Sequence, residues 1–293
     1  MRRPNQKRPG TSLRLASLIH TKEDALSRRD LVRLAASARE CVVRVTGGAA
    51  LIGDGYGDDV GRFLAESLGG SACDVAVLAG ATMSIDRPAL GLCIRCDELG
   101  LHCPAHSYGR VKSKPGVMSV LMNLAAMNAP ARTIGLVPVI GDVSLYAGFV
   151  VVSDKPENDY YTVIDDRCPF CLVLQFSTDK PTLSWDDEWR VSIDYMELLR
   201  NDAQHRSLHL AFNGGVVTRN ECLHVAALPQ GDNPWNLVLV EDSGRAAEAL
   251  SNDLEFRRQF PHVVSCRMQE LSGVIREMGF APEESQQTPA TGE

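Results

Sequence analysis

Three short apolar runs in this chain, at 41–45, 207–212 and 236–240, each break on a polar turn that carries glycine. The turns are Thr46-Gly47-Gly48, Asn213-Gly214-Gly215 and Asp242-Ser243-Gly244-Arg245. A short, near-continuous apolar run reads as a strand buried on both faces, as in a parallel sheet covered by helices. Parallel neighbours need a crossover between them, usually a helix. The pattern therefore predicts an α/β chain: a Rossmann-like, mostly parallel sheet with helices on both faces. It is expected to form a single domain with an inserted loop. If the strands are parallel, all three turns lie along one carboxyl edge, where such sheets bind ligands.

The segment around 236–250 carries this reading furthest. Asp242 or Ser243 is placed to cap the helix that follows, because a short side-chain oxygen accepts an otherwise unpaired amide of the first turn. Gly244 permits a tight bend and close approach of a ligand. The helix start would offer free N–H groups and a partial positive charge, and Arg245 a planar fork of donors, all suited to phosphate. The specific nucleotide motifs are absent. Five glycines crowd the loop at 47–57, yet neither the dinucleotide GxGxxG rule nor the Walker pattern fits there.

Further strands are expected at 75–79, 133–140, 147–152, 160–165 and 172–176. Helices are expected at 28–39, from about 58 to 68, and at 117–128, 185–200, 218–228, 254–260 and 263–278. The polar ends, 1–27 and 279–293, read as disordered tails around a folded unit spanning 28–278. Between 85 and 114 the periodicity breaks down, as in an inserted loop or lid.

With 293 residues, 44% of them hydrophobic, the chain has enough apolar material for one large α/β domain. A net charge of −7 gives no global basic field to recruit nucleic acid, and the one basic cluster (Arg2, Arg3, Lys7, Arg8) sits in the tail. No apolar run is long enough to span a bilayer and none looks secretory, so a cytoplasmic chain without membrane insertion is expected. Nine cysteines are scattered, and Cys41, Cys73, Cys222 and Cys266 lie in or beside apolar runs. That spacing suggests reduced core thiols.

Two other chemistries compete. Cys93, Cys96, Cys103 and His106 form a C-x2-C-x6-C-x2-H set that could close a tetrahedral zinc site, though its central spacer is shorter than in common zinc ribbons. Cys168 and Cys171 form a second C-x2-C that runs straight into an apolar strand, without the helix start of a redox pair. The seven histidines form no recognisable triad with a serine or cysteine.

Val240–Leu250, Val-Glu-Asp-Ser-Gly-Arg-Ala-Ala-Glu-Ala-Leu, resembles the Gly-Ser-Gly-Arg-Ala segment of the SLOG domain. That domain stands at the cytosolic N-terminus of TRPM channels and also occurs as stand-alone prokaryotic (LSDAT) versions. Thr46-Gly47-Gly48, followed by Asp59-Val60-Gly61, resembles the family's first loop and helix. Asn213-Gly214-Gly215 resembles its penultimate Glu-Gly-Gly turn, and residues 160–166 stand where it has a strand ending in an acidic pair. The resemblance runs from about residue 28 to 266. It departs at Asp242, where the family has glycine, and at 85–114, which has no counterpart.

The resemblance implies a sensor for a nucleotide-derived ligand such as ADP-ribose or an NAD relative, tied to stress or defence signalling. Output would pass to a separate effector protein or another copy of the chain, and no resident cofactor is expected. It implies ligand contacts at Thr46, Gly47, Gly48, Gly214, Gly215, Ser243, Gly244 and Arg245, with Asp242 beside them. The wider superfamily resembles nucleotide phosphoribohydrolases, whose Pro-Gly-Gly-x-Gly-Thr-x-x-Glu loop matches 213–221 in part and sets Glu221 near the catalytic offset. The alternatives are therefore a nucleotide N-glycoside hydrolase or a zinc-stapled interaction module.

Overall fold

The computed structural model describes residues 15–19, 41–48, 75–80, 83–86, 113–114, 132–139, 144–146, 149–153, 160–165, 172–177, 185–203 and 206–280. Two sheets emerge. The larger holds eight strands, all adjacent pairs parallel. In chain order they are β1 (Leu15–Ile19), β2 (Cys41–Gly47), β3 (Val75–Gly80), β6 (Arg132–Val139), β10 (Leu172–Ser177), β11 (Arg206–Phe212), β12 (Trp235–Val240) and β13 (Val264–Cys266). Across the sheet they run β1-β10-β6-β3-β2-β11-β12-β13. The order thus grows away from β2 in one direction through β3, β6 and β10, then reverses and grows the other way from β11. That reversal lies between β2 and β11.

The smaller sheet is antiparallel, β5-β4-β9-β8-β7. Its members are β4 (Met83–Asp86), β5 (Ser113–Lys114), β7 (Ser144–Tyr146), β8 (Phe149–Ser153) and β9 (Tyr160–Asp165). The runs at 147–152 and 160–165 are strands as expected, but they pair here and not in the parallel sheet. Composition alone does not choose between the two, because a short apolar run suits either partner. Both ends of the expected 85–114 loop also belong to this sheet: Ile85 and Asp86 lie in β4, and Ser113 and Lys114 form β5.

The helices are α1 (Trp185–Ala203), α2 (Val216–Ala226), α3 (Arg245–Asn252), α4 (Leu254–Gln259) and α5 (Leu271–Glu277). Alternate residues of β2, β3, β11 and β12 feed two cores. On one face Val42, Leu78, Ala211, Leu237 and Leu239 pack with Trp189, Ile193 and Met196 of α1, Cys222 and Val225 of α2, Leu250 of α3 and Phe256 of α4. On the other, Val43, Val45, Val77, Leu208, Leu210 and Val238 pack with Leu271 and Ile275 of α5 and with Phe280. Helices cover both faces, which is why these strands need no polar side. Among the described residues no helix is long and apolar enough to cross a membrane.

Three boundaries differ from expectation. The sheet begins before residue 28, with β1 paired to β10. The stretch 263–278 is not one helix but β13, a turn and α5, since Val264–Cys266 pairs with β12. The fold also reaches past 278: Gly279 turns with φ +74° and Phe280 is fully buried. The expected helices at 28–39, 58–68 and 117–128, the cysteine–histidine cluster at 93–106, the pair Cys168 and Cys171, Cys73, and the tail from 281 lie outside the described residues. Cys41, Cys222 and Cys266 are buried and in no disulfide, and burial pushes the Cys266 thiol up to about 12.

Candidate functional site

The reversal between β2 and β11 is where an open parallel sheet leaves a crevice at its carboxyl edge. β2 ends on Thr46 and Gly47, followed by Gly48, and β11 on Phe212, followed by Asn213, Gly214 and Gly215. β12, the next strand over, delivers Ser243, Gly244 and Arg245. The three turns meet. A methyl group placed on Gly48 would lie 3.3 Å from Arg245 Nη1, 3.3 Å from Gly214 Cα and 3.4 Å from Asn213 Oδ1. One on Gly215 would lie 3.1 Å from Arg245 Nη2. The guanidinium therefore spans the Gly48 and Gly215 backbones, and no larger side chain fits without displacing it.

The backbone is bent to make this possible. Asn213 and Gly214 have φ of 50° and 80°, and Gly244 and Arg245 have 86° and 52°. Glycine takes this left-handed region freely and asparagine tolerates it, but an arginine there is strained by about 1–3 kcal/mol. Such strain collects at functional turns.

Hydrogen bonds clamp the last two turns together. Ser243 Oγ accepts the Asn213 amide at 2.7 Å and donates to Val240 O, while Asn213 Nδ2 donates to Ser243 O at 3.0 Å. The amides of Ala246 and Ala247 donate to the carbonyls of Gly214 and Asn213. Two expectations are thereby corrected. Ser243 does not cap the helix: its hydroxyl is buried, with its proton donated and a lone pair taken. The start of α3 is not an open anion site either, because its amides at 246 and 247 already hold the neighbouring turn. Asp242 does not cap α3 either: it is exposed, and its Oδ1 accepts the Met268 amide at 2.9 Å on the β13 side. Gly244 stands at the helix cap with no side-chain cap bond.

The open helix start belongs to α2. No described group accepts from the amides of Gly215, Val216, Val217 or Thr218, and Gly215 at the cap supplies no side chain. These amides sit beside the Arg245 guanidinium. Arg245 is exposed, and among the described residues it forms no ion pair.

Beneath the rim lies an ion network that the sequence reading did not identify. Arg44 of β2 is 1% exposed. Its guanidinium donates to both carboxylate oxygens of Glu188 on α1, at 2.7 and 3.1 Å, and to Glu221 Oε1 on α2 at 3.0 Å. His209, the register partner of Arg44 on β11, contacts the same Glu221 oxygen through Nε2 at 2.8 Å. Thr46 Oγ1 donates to the other oxygen of Glu221, and Ser192 Oγ donates to Glu188. Thr46, expected as a ligand contact, thus gives its proton to the network.

The charges of this network follow from its geometry. Burial alone would raise the Glu221 carboxyl, but Arg44 and the His209 hydrogen bond outweigh it and hold it at about 2. Burial wins at Glu188, whose carboxyl is raised despite Arg44. Burial also lowers His209 more than Glu221 raises it, so the ring is neutral and donates Nε2–H to the carboxylate. Arg44 stays charged between two carboxyl groups. Glu221 is therefore not the exposed or free acid that glycoside hydrolysis would call for. Both its oxygens are engaged, and it fastens the first turns of α2 to β2 and β11.

A charged residue in the middle of Cys-Val-Val-Arg-Val-Thr and a histidine in Ser-Leu-His-Leu were the available signals. In strands read as buried on both faces, such residues demand partners. No protein-family model matches the chain, and no curated protein matches it either. Among the described residues no cluster of histidine, cysteine and carboxylate groups could hold a metal.

Proposed function

We propose that this chain binds a nucleotide-derived ligand, of the ADP-ribose or NAD-related kind, through phosphate at the rim formed by Gly48, Gly214, Gly215, Gly244 and Arg245. The observation that carries the reading is an exposed guanidinium laid across two glycine backbones beside the first amides of α2, with no ion pair to the guanidinium and no acceptor for those amides among the described residues. An anion there gains charge-assisted hydrogen bonds from a planar fork and dipolar ones from a helix start. The glycines let it approach the main chain, and the position at the sheet's reversal point supports a ligand role. The resemblance to SLOG domains supplies the ligand class. In this reading the chain acts as a sensor whose bound state passes to a separate effector or to another copy.

A thermal-shift panel of ADP-ribose, NAD and simple nucleotides tests it. Ligand at about 100 times its Kd adds about 2.7 kcal/mol to the folded state, a shift easily read by melting. Arg245→Ala is expected to lose the shift while the unliganded melting point stays within a degree or two, because the exposed side chain forms no ion pair among the described residues. A panel with no shift in the unaltered chain sinks the proposal. A large fall in unliganded stability would make Arg245 a structural residue instead.

A further inference from the structure

Asn213 is 8% exposed, and its side-chain oxygen has no hydrogen-bond partner among the described residues. The orientation of the amide is fixed by its other end. Nδ2 must face Ser243 O, because the reverse would press two acceptors together. Oδ1 is therefore left on the Gly48 side, where the point 3.4 Å away is also 3.3 Å from the Arg245 guanidinium. A buried acceptor without a donor is costly, and it sits where an anion is expected. The Arg245 guanidinium lies on the same side, and its other nitrogen faces Gly215, where α2 begins with its open amides. A ligand carrying only anionic oxygens satisfies those donors and leaves Oδ1 unpaired.

We infer that the site reads a hydroxyl next to a phosphate, with Asn213 Oδ1 accepting the hydroxyl proton while Arg245 and the α2 amides hold the anion. The ligand class is then a phosphorylated sugar or polyol, as opposed to a bare or alkyl phosphate. This rests on the anion site proposed above and goes beyond it by making Asn213 the residue that determines selectivity. A site built to bond a hydroxyl rejects an analogue that lacks it, because the acceptor stays buried and unpaired.

Calorimetric titration of the full chain with ribose 5-phosphate and with cyclopentylmethyl phosphate, which has the same charge and ring size and no hydroxyl, tests this directly. The sugar phosphate is expected to bind at least about tenfold more tightly, the fold-change of one such hydrogen bond. Asn213→Gly keeps the positive φ and removes the amide, so it should bring the two affinities within about twofold without abolishing phosphate binding. Equal affinities in the unaltered chain overturn the Asn213 assignment and leave the anion site standing, as does a preference that survives in Asn213→Gly. Failure of both compounds to bind overturns the anion site and this inference with it. If the variant does not fold, equal affinities in the unaltered chain still overturn the inference.

Discussion

At Gly214 the turn admits no side chain. With φ at +80°, an added Cβ would fall 2.3 Å from Thr218 Oγ1 and 2.4 Å from its Cβ, and Thr218 is itself 2% exposed and held in α2. Gly214→Ala is expected to destabilise the chain by about 3 kcal/mol, combining the backbone penalty with a clash that cannot relax toward solvent. Urea denaturation would read this as a lowered midpoint with an unchanged slope. A variant as stable as its parent would show that the turn is looser than its geometry says. Gly48 differs in kind, because two of the three atoms nearest a methyl there belong to side chains, one of them the tip of Arg245. Its glycine is required by the site more than by the fold. Ser243 and Asn213 show how a residue's role depends on what stands opposite it. Both are polar turn residues in sequence, yet one is a buried latch between two turns and the other leaves an acceptor facing the rim.

Among the elements, the last segment carries more of the fold than its sequence suggests. After α5 the chain turns at Gly279 and sets Phe280 into the core with Leu208, Leu210 and Val238, and the Arg206 guanidinium lies 5.4 Å above its ring. Phe280→Ala is expected to cost about 3–5 kcal/mol, the range for truncating a buried aromatic. Thermal melting would detect it. A change under about 1 kcal/mol would place the end of the folded unit nearer 278. Helix starts make the same point from another side. Both α2 and α3 follow a glycine-bearing turn, but among the described residues the first amides of α2 find no acceptor, whereas the 213–214 carbonyls take those of α3. Two similar local sequences thus yield one anion-ready helix end and one that is already occupied.

For the molecule as a whole, the buried network links stability to pH. His209 is lowered from its ordinary 6.5, so below that pH the unfolded chain takes a proton the native ring refuses, and stability falls with acid. Glu221, held at about 2, adds a second loss as pH drops below the ordinary carboxylate range. Glu188 works the other way: its raised carboxyl contributes stability that is full below its ordinary value and lost as pH rises through the raised one. Between about pH 7 and 5 the His209 loss is isolated by comparing the chain with His209→Gln, which retains an amide donor toward Glu221. The stability gap between the two should narrow as pH falls, read from urea midpoints. Parallel curves would mean that native His209 takes up its proton as readily as it does in the unfolded chain. The apolar runs, their glycine-bearing ends and the helical periods after 185 determined the parallel α/β core, the later crossovers and the candidate turns, because strand burial and turn conformation are local demands written into residue type. Only the tertiary structure decided that β8 and β9 join a separate antiparallel sheet and that the turn at 213–215 is clamped to the one at 243–247. It alone paired Arg44 with Glu188 and Glu221, residues 144 and 177 positions away. Those outcomes depend on which groups meet across the fold, and a buried charge or unpaired amide finds its partner only once the chain has closed around it.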